Sequence, residues 1–351
     1  MTGKIPIEIR TSPHLKRPQQ VDDIMRNVVW ALLPVAAFAV YQFGISALAL
    51  ILTTTGVAMA TEALFARLSG RGNTLNDWSV AITGILLALT LPPGFPLWMA
   101  AVAAFVGVAL GKALFGGLGY NVMNPALVGR AFVQAAFPVA ITTWTPAFAP
   151  GRFTEFIPST LALPLMKPPP VDAWIDGLQM DAFTGATPLA LQKFQQVSVS
   201  TTDLFTGMVA GSAGETSALL ILVCGLYLAF RRMLDWRIPV GVMGAAALTA
   251  LPFWLHDPQV FPSPVFVLVS GGLMLGAWFM ASDMIASPVT ARGALLYGAL
   301  VGFLTVVIRL FGGLTEGVMY AILLANAASP LIAAATQPRV YGEVRRREEE
   351  S

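Results

Sequence analysis

Ionic residues are scarce in this chain. Of its 351 residues only 11% are Asp, Glu, Lys or Arg, against 56% hydrophobic, whereas a soluble domain carries roughly 25% charged residues. Too few charges remain to cover a water-facing surface, so lipid is the solvent that fits the composition. Cysteine and histidine are nearly absent, with one and two residues. A lone Cys224 excludes an internal disulfide, and with it any all-cysteine metal or iron–sulfur site within the chain. Cys224 lies in the apolar run 218–230 and reads as a small buried residue, the sharper alternative being a ligand shared with a partner protein. His14 and His256 are far apart and form no metal motif. Neither charge sign dominates: the net charge is +2, and no basic stripe interleaved with aromatics appears, which sets nucleic acid aside. There is no Gly-x-Gly-x-x-Gly turn after a strand, so no dinucleotide site is expected.

Long apolar runs are what the chain has instead. A crossing helix needs ~20 apolar residues to span ~30 Å of hydrocarbon. Ten runs qualify or nearly do: 28–43, 46–65, 78–91, 97–114, 125–141, 204–230, 238–255, 265–281, 294–311 and 318–335. Lys4, Arg10, Lys16, Arg17 and Arg26 precede the first run without a short apolar core and cleavage site, which reads as a cytoplasmic tail and not a signal peptide. Lys and Arg gather in alternate loops, at Arg67, Arg71, Lys112, Arg231, Arg232, Arg237 and Arg292, and again in the C-terminal tail. By the positive-inside rule both termini are then cytoplasmic. The longest hydrophilic stretch, 142–203, falls on the outer side; it is acidic on balance, and its prolines argue for extended chain over helix.

The expected organisation follows. Residues 1–27 form a cytoplasmic tail, 28–141 a first five-helix half, 142–203 the outer loop, 204–336 a second five-helix half, and 337–351 a second cytoplasmic tail. Five is odd, so the halves are inverted relative to one another. Asn121-x-x-Asn124-Pro125 echoes Asn326-x-x-Ser329-Pro330, and Pro125 with Arg130 echoes Pro288 with Arg292. The expected fold is all-α and polytopic, about ten transmembrane helices in two inverted five-helix halves. Such folds place their sites where broken helices meet.

Several residues are candidates for chemistry. In 181–189, Thr184 and Thr187 flank Gly185 and Ala186, whose small size leaves room for a bulky group at the Thr187 hydroxyl; an ordinary turn is the plainer reading. Asn121 and Asn124 precede Pro125, where their amides suit either a flavin or the capping of a helix. Acidic residues at membrane depth are costly, which singles out Glu62, Asp77, Glu215, Asp283 and Glu316. Glu215 stands in the small-residue stretch Gly211-Ser-Ala-Gly-Glu-Thr-Ser217. Free carbonyls beside a carboxylate suit a sodium or proton site, and amides of a helix N-terminus are the alternative partner. Asp77 and Asp283 are further ion-pathway candidates, although capping or a basic neighbour also accounts for them. Glu62 is placed to reach toward Arg67. A buried Arg130 needs an anionic or carbonyl partner, from a flavin or an acid. Trp78, Trp98, Trp144, Trp236 and Tyr341 near run ends read as interface anchors.

Four segments carry a family resemblance: Asn73-Thr-Leu-Asn-Asp-Trp78, Tyr120-Asn-Val-Met-Asn-Pro-Ala126, Thr184-Gly-Ala-Thr-Pro188 and Gly211–Ser217. Together with nearly the whole chain they resemble the NqrB/RnfD family, on the side of the Rnf electron-transport complex. The resemblance implies FMN joined by a phosphoester to the last threonine of a Ser/Thr-Gly-Ala-Thr motif, here Thr187; Thr184 stands where the family more often has serine. It also implies noncovalent riboflavin near Asn121 and Asn124. The implied function is electron transfer between ferredoxin and NAD coupled to Na+ or H+ translocation in the bacterial inner membrane, with the loop that bears FMN in the periplasm. Partner subunits with FMN and iron–sulfur clusters are implied, as is a flavin transferase that uses FAD, since this chain shows no apparatus for phosphoryl transfer. Three rival readings stand beside this one. A solute permease has no need for Thr184–Pro188 as a flavin acceptor. A passive scaffold leaves Glu215 and Arg130 unexplained. An NqrB-like quinone-reducing subunit tends to carry a longer N-terminal region than the 26 residues here.

Overall fold

The computed structural model describes residues 20–70, 75–164, 166, 168–171, 174–175, 186–197, 199–215 and 217–338. All regular structure among them is helical. The first half contains α1 (Val21–Phe43), α2 (Ile45–Leu68), α3 (Ser79–Thr90), α4 (Leu97–Val108) and α5 (Pro125–Ala136). The second contains α6 (Ala218–Phe230), α7 (Arg237–His256), α8 (Pro264–Val269), α9 (Leu273–Leu275), α10 (Ala291–Phe311) and α11 (Val318–Thr336). Of these, α1, α2, α7, α10 and α11 are long and apolar enough to cross a membrane. The other expected crossings are shorter apolar helices or broken ones. The chain is a polytopic helical membrane protein, and its large exposed apolar side chains, such as Leu52, Leu248 and Leu331, face outward from the bundle as lipid requires.

The halves share an order of packing. In the first, α2 packs on α3 and α4, and α4 on α5; in the second, α7 packs on α8 and α10, and α10 on α11. Helices α1 and α6 meet across the halves. Gln42 of α1 adds a polar link, its fully buried amide donating to the carbonyls of Gly207 (2.9 Å) and Val209 (3.0 Å).

Several expected crossings depart from a plain helix; the run 125–141, for one, is interrupted at Phe137. The run 204–230 is helical only over Thr201–Thr206 and then from Ala218. Gly207 ends the first piece in the left-handed region (φ +94°), and the helix resumes only after Ser217. The run 265–281 breaks between α8 and α9 at Gly271 (φ +60°) and closes on a π turn, Gly276–Met280. Helix α4 likewise continues into a π turn at Ala109–Ala113. Lys112, expected in an inner loop, is on that turn and only 3% exposed.

The stretch 142–164 is irregular, as its prolines predict, and is stapled to the helix ends. The Phe148 amide donates to the Gln42 carbonyl, Ile45 to Arg152, Ile157 to the Ser46 hydroxyl, and Leu97 to Thr160. The Arg152 guanidinium stacks over Tyr41, Phe148 and Phe153. Farther on, the expectation of extended chain gives way to short helical turns at Pro188–Ala190, Leu191–Gln195 and Thr201–Thr206. Proline at the first position of a helix loses no hydrogen bond, so Pro188 starts the turn instead of preventing it.

Small residues let α7 and α10 approach closely. A Cβ at Gly298 would lie 2.5 Å from the Ile238 carbonyl oxygen, and one at Gly302 would overlap the Val242 carbonyl. Gly302→Ala should therefore destabilise the bundle by about 1–3 kcal/mol through overpacking. Gly244→Ala, whose added methyl meets open space, should leave stability unchanged or slightly raised. Thermal unfolding midpoints in detergent compare the two directly.

Candidate functional site

Asn124 caps α5, its side-chain oxygen accepting from the Ala126 amide at 3.0 Å, and Pro125 takes the first helical position. That start sets the phase of Arg130, which points inward and is buried. Its Nη1 donates to Glu215 Oε1 at 3.4 Å and its Nη2 to Glu316 Oε2 at 3.1 Å. Glu215 comes from the non-helical segment before α6, and Glu316 from the turn before α11. Glu316 Oε1 also accepts from the Gly272 amide at 3.2 Å. Arg309 of α10 donates to the carbonyls of Val267 (2.9 Å) and Ser270 (3.1 Å), which the break between α8 and α9 leaves without helical partners. At Gly271 a Cβ would fall 2.5 Å from both Glu316 Oε1 and Leu189 Cδ1. Two carboxylates and two guanidinium groups thus surround one helix break.

The segment that begins at Thr187 lies over this break. Thr187 caps the turn Pro188–Ala190, its Oγ1 accepting from the Ala190 amide at 3.3 Å, and is 5% exposed. Leu189 packs with Leu204 and Phe266. Lys193 Nζ donates to the carbonyls of Arg309 (2.8 Å), Gly312 and Leu314 (3.1 Å), closing the C-terminal end of α10 with a positive charge, where the helix dipole favours one. A cavity of about 120 Å³ adjoins the segment, lined by Leu189, Gln192, Lys193, Phe266, Arg309 and Thr315 among others. Ala186 is half-buried. Thr184 and Gly185 lie outside the described residues.

A second charge cluster occupies the opposite end of α2 and α4. Glu62 does not reach toward Arg67; it pairs with Lys112, whose Nζ donates to Oε1 at 2.8 Å and Oε2 at 2.7 Å. The third ammonium proton goes to Ser79 Oγ at 2.6 Å. Ser79 Oγ donates in turn to Asp77 Oδ1 at 2.5 Å, which also accepts from the Ser79 amide at 2.9 Å and so caps α3. Asp283 accepts from the Ile285 amide at 3.2 Å. Burial pushes the Asp283 carboxyl above the ordinary range, opposed by that amide and by the Lys112 charge. Asp77 and Asp283, expected as ion-pathway candidates, are each held by local capping bonds.

Between these groups, at the end of the bundle away from Thr187, lies a cavity of about 80 Å³, lined by Ser79, Lys112, Asn121, Asn124, Trp278 and Asp283 among others. Asn121 Oδ1 and Trp278 Nε1 are buried there without a hydrogen-bond partner. The Asn121 amide nitrogen makes one long bond, 3.4 Å to the Met123 carbonyl. Asn124 is occupied by the cap and by the Met280 carbonyl at 3.3 Å. Of the two asparagines, Asn121 has capacity left for a ligand.

Arg130, Glu215 and Glu316, separate candidates in the sequence, are one cluster in the structure. Arg309 and Lys112 are site residues that the sequence does not single out. Each is a cation inside or at the edge of an apolar run, and a charge at membrane depth is the signal that finds them. Cys224 is buried on α6. Among the described residues no group of His, Cys, Asp or Glu is arranged to hold a metal.

Residues 8–342 match the family described as NQR2, RnfD, RnfE. Three relatives are similar over nearly their whole length, and each is one component of a larger complex. The first belongs to the Na(+)-translocating ferredoxin:NAD(+) oxidoreductase complex of Acetobacterium woodii; it is 41% identical over 344 residues, covering 97% of this chain and 96% of that one. The second belongs to the proton-translocating ferredoxin:NAD(+) oxidoreductase complex of Clostridium ljungdahlii and is 37% identical, covering 95% and 96%. The third belongs to the ion-translocating oxidoreductase complex of Alcanivorax borkumensis and is also 37% identical, with the same coverage.

Buried ion pairs are fragile to the loss of one partner. Arg130→Met should destabilise the protein by about 3–5 kcal/mol, since it leaves two dry carboxylates together. Lys112→Met should cost a similar amount by stranding Glu62, whereas the double variant Glu62→Leu/Lys112→Met should regain most of it, because apolar replacement of a whole buried pair is often neutral. Unfolding of the purified variants in detergent reads both effects.

Proposed function

Because this chain belongs to the NQR2, RnfD, RnfE family, we propose that it is the flavin-bearing membrane subunit of an Rnf-type complex. Such a complex couples electron transfer between ferredoxin and NAD to Na+ or H+ translocation across the bacterial inner membrane. The names of the relatives in Acetobacterium woodii and Clostridium ljungdahlii support the activity. The observation that carries the role of this subunit is the position of Thr187. It heads a segment clamped by Leu189 and Lys193 over the helix break where Arg130, Glu215, Glu316 and Arg309 meet.

FMN is attached through Thr187 in this reading, with Thr184, Gly185 and Ala186 as the approach to it. The residues fit such a group. Among the described residues the Thr187 oxygen has one long contact, and the neighbouring cavity offers apolar walls at Leu189 and Phe266 with cationic Lys193 and Arg309 beside them. Bound there, FMN supplies a relay for one or two electrons, while the protein sets its environment by burial and hydrogen bonding. Thr187 is buried, so a flavin transferase must meet the hydroxyl before the segment settles or while it is displaced. The inner cavity suits riboflavin: Asn121 Oδ1 can accept from a ring N–H, and Trp278 Nε1 can donate to a ring carbonyl.

The reading includes the topology. Both termini are cytoplasmic, the loop 142–203 is periplasmic, and the halves 28–141 and 204–336 are inverted. Partner subunits supply the iron–sulfur clusters and the NAD site. The coupling ion differs between relatives that are 41% and 37% identical to this chain, so ion choice is set by local positions and not by the shared fold. Glu215, beside unwound backbone and paired with Arg130, is the foremost ion-pathway candidate.

Denaturing electrophoresis tests the assignment. Made in a host with the flavin transferase, the chain should give an ultraviolet-fluorescent band near its 37.2 kDa mass, and Thr187→Val should abolish the fluorescence. A dark wild-type band, with the transferase active on a known acceptor, would remove covalent FMN from the reading.

A further inference from the structure

The inner charge cluster has no part in holding Thr187 or the outer helix break. It is nevertheless densely hydrogen-bonded. All three Lys112 protons are placed, two on Glu62 and one on Ser79 Oγ, and the Ser79 proton is placed on Asp77. Lys112 and Ser79 both line the inner cavity. Lys112 is 3% exposed and Glu62 7%, whereas Asp77 is only partly buried. The chain of donors therefore runs from the cavity wall to a carboxylate that reaches the surface.

A structural brace does not account for this arrangement. A Glu62–Lys112 pair alone would tie α2 to the end of α4, and an apolar pair of similar volume would do so without the cost of desolvating two charges. The limb through Ser79 to Asp77 also ties in and caps the start of α3, but a cap needs no link to an ammonium group. Lys112 also stands on a π turn, where one extra residue per turn re-aims the side chain, a distortion common at functional sites. Three further titratable groups face Lys112: Glu62 from α2, Asp77 through Ser79, and Asp283 from the segment after the Gly276–Met280 π turn.

We propose that Asp77, Ser79 and Lys112 form a proton relay from the inner surface into the inner cavity, with Glu62 as the positioning residue that holds Lys112. The proposal rests on the reading that this cavity receives a flavin. An electron delivered there by a reduced group of a partner protein adds one negative charge to a site of low dielectric, where an uncompensated charge is costly. Lys112 Nζ gives one proton to the reduced ring. Asp77, which accepts from Ser79 at rest, first takes up one proton from water at the surface, and the Ser79 hydroxyl then turns to pass its own proton to the neutral amine as it takes that one from Asp77. The net change is one electron and one proton taken up from the inner side, with every side chain restored.

The test uses the intact complex in nanodiscs, reduced by ferredoxin in a stopped-flow instrument. The inner flavin is followed by absorbance and proton uptake by an indicator dye. Release of riboflavin on denaturing the wild-type complex, separated by chromatography from the FMN of partner subunits, is measured first. Its absence would overturn the flavin reading of the cavity, and the relay with it. With the flavin present, Ser79→Ala should slow the uptake of protons that accompanies flavin reduction by roughly a hundredfold, within the range of a lost general acid, while electrons still arrive. Ser79→Thr, which keeps the hydroxyl, should behave as wild type, and Asp77→Asn should be slow like Ser79→Ala. Proton uptake at the wild-type rate in Ser79→Ala would overturn the relay and leave the flavin assignment intact.

Discussion

A backbone group freed inside a membrane must find a partner in the protein, because hydrocarbon provides none. That constraint governs this molecule more than any other. Two crossings are broken, between Gly207 and Ser217 and at Ser270–Gly272, and each break releases donors and acceptors into the bundle. Arg309 takes two of the released carbonyls, Glu316 accepts a released amide, and Gln42 donates to two carbonyls of the other break. The charges are therefore part of the fold before they are part of any function. Arg309 and Glu316 bring charge into the interior, Arg130 and Glu215 balance it, and the four-residue cluster follows from the break.

The same constraint explains the split between long and short helices. Unbroken α7 and α10 satisfy nearly all of their own backbones, the exception being the turn at Pro252 of α7, and can pack through glycine faces. The broken elements cannot, and they occupy the interior, where side chains from both halves reach them: Trp278, Met274 and Leu275 are all buried. Helix ends thus meet inside the bundle, and the two cavities lie at such junctions. One is beside the Thr187 segment and α8; the other is between the α3 start, the α4 π turn and the π turn after α9.

The sequence reveals the crossings because apolar length is a local property. It reveals Thr187, Glu215 and Arg130 as unusual because each breaks a local pattern. Their partners are not local. Arg130 binds acids 85 and 186 positions away, and Lys112 binds one 50 positions away. No window of residues contains such pairs, which is why the sequence alone points Glu62 toward the nearby Arg67. The π turn at Ala109–Ala113 is hidden for a related reason. Its residues are ordinary in a helix, and only the insertion of Lys112 between α2 and α3 shows why the winding changes. The break at Gly271 is legible in principle from Ser270-Gly-Gly272, yet it lies in an apolar run that reads as one crossing.

The two charge clusters differ in a way that bears on what each can do. In the outer cluster both carboxylates face guanidinium groups, which do not give up protons, and much of the bonding goes to backbone. Such a site holds geometry, which suits the surroundings of a fixed electron relay. The inner cluster is built from an ammonium, a hydroxyl and carboxylates, all groups that exchange protons, linked in one direction toward the surface. If both clusters were only structural, nothing would require this division of residue types. The four-residue cluster at the helix break, where backbone must be satisfied, has arginine as its cations; the cluster among α2, α3 and α4 has lysine. An apolar pair in place of that lysine and Glu62 would also join α2 to the end of α4, and the exchangeable protons that the lysine holds instead are the argument for a role in moving charge.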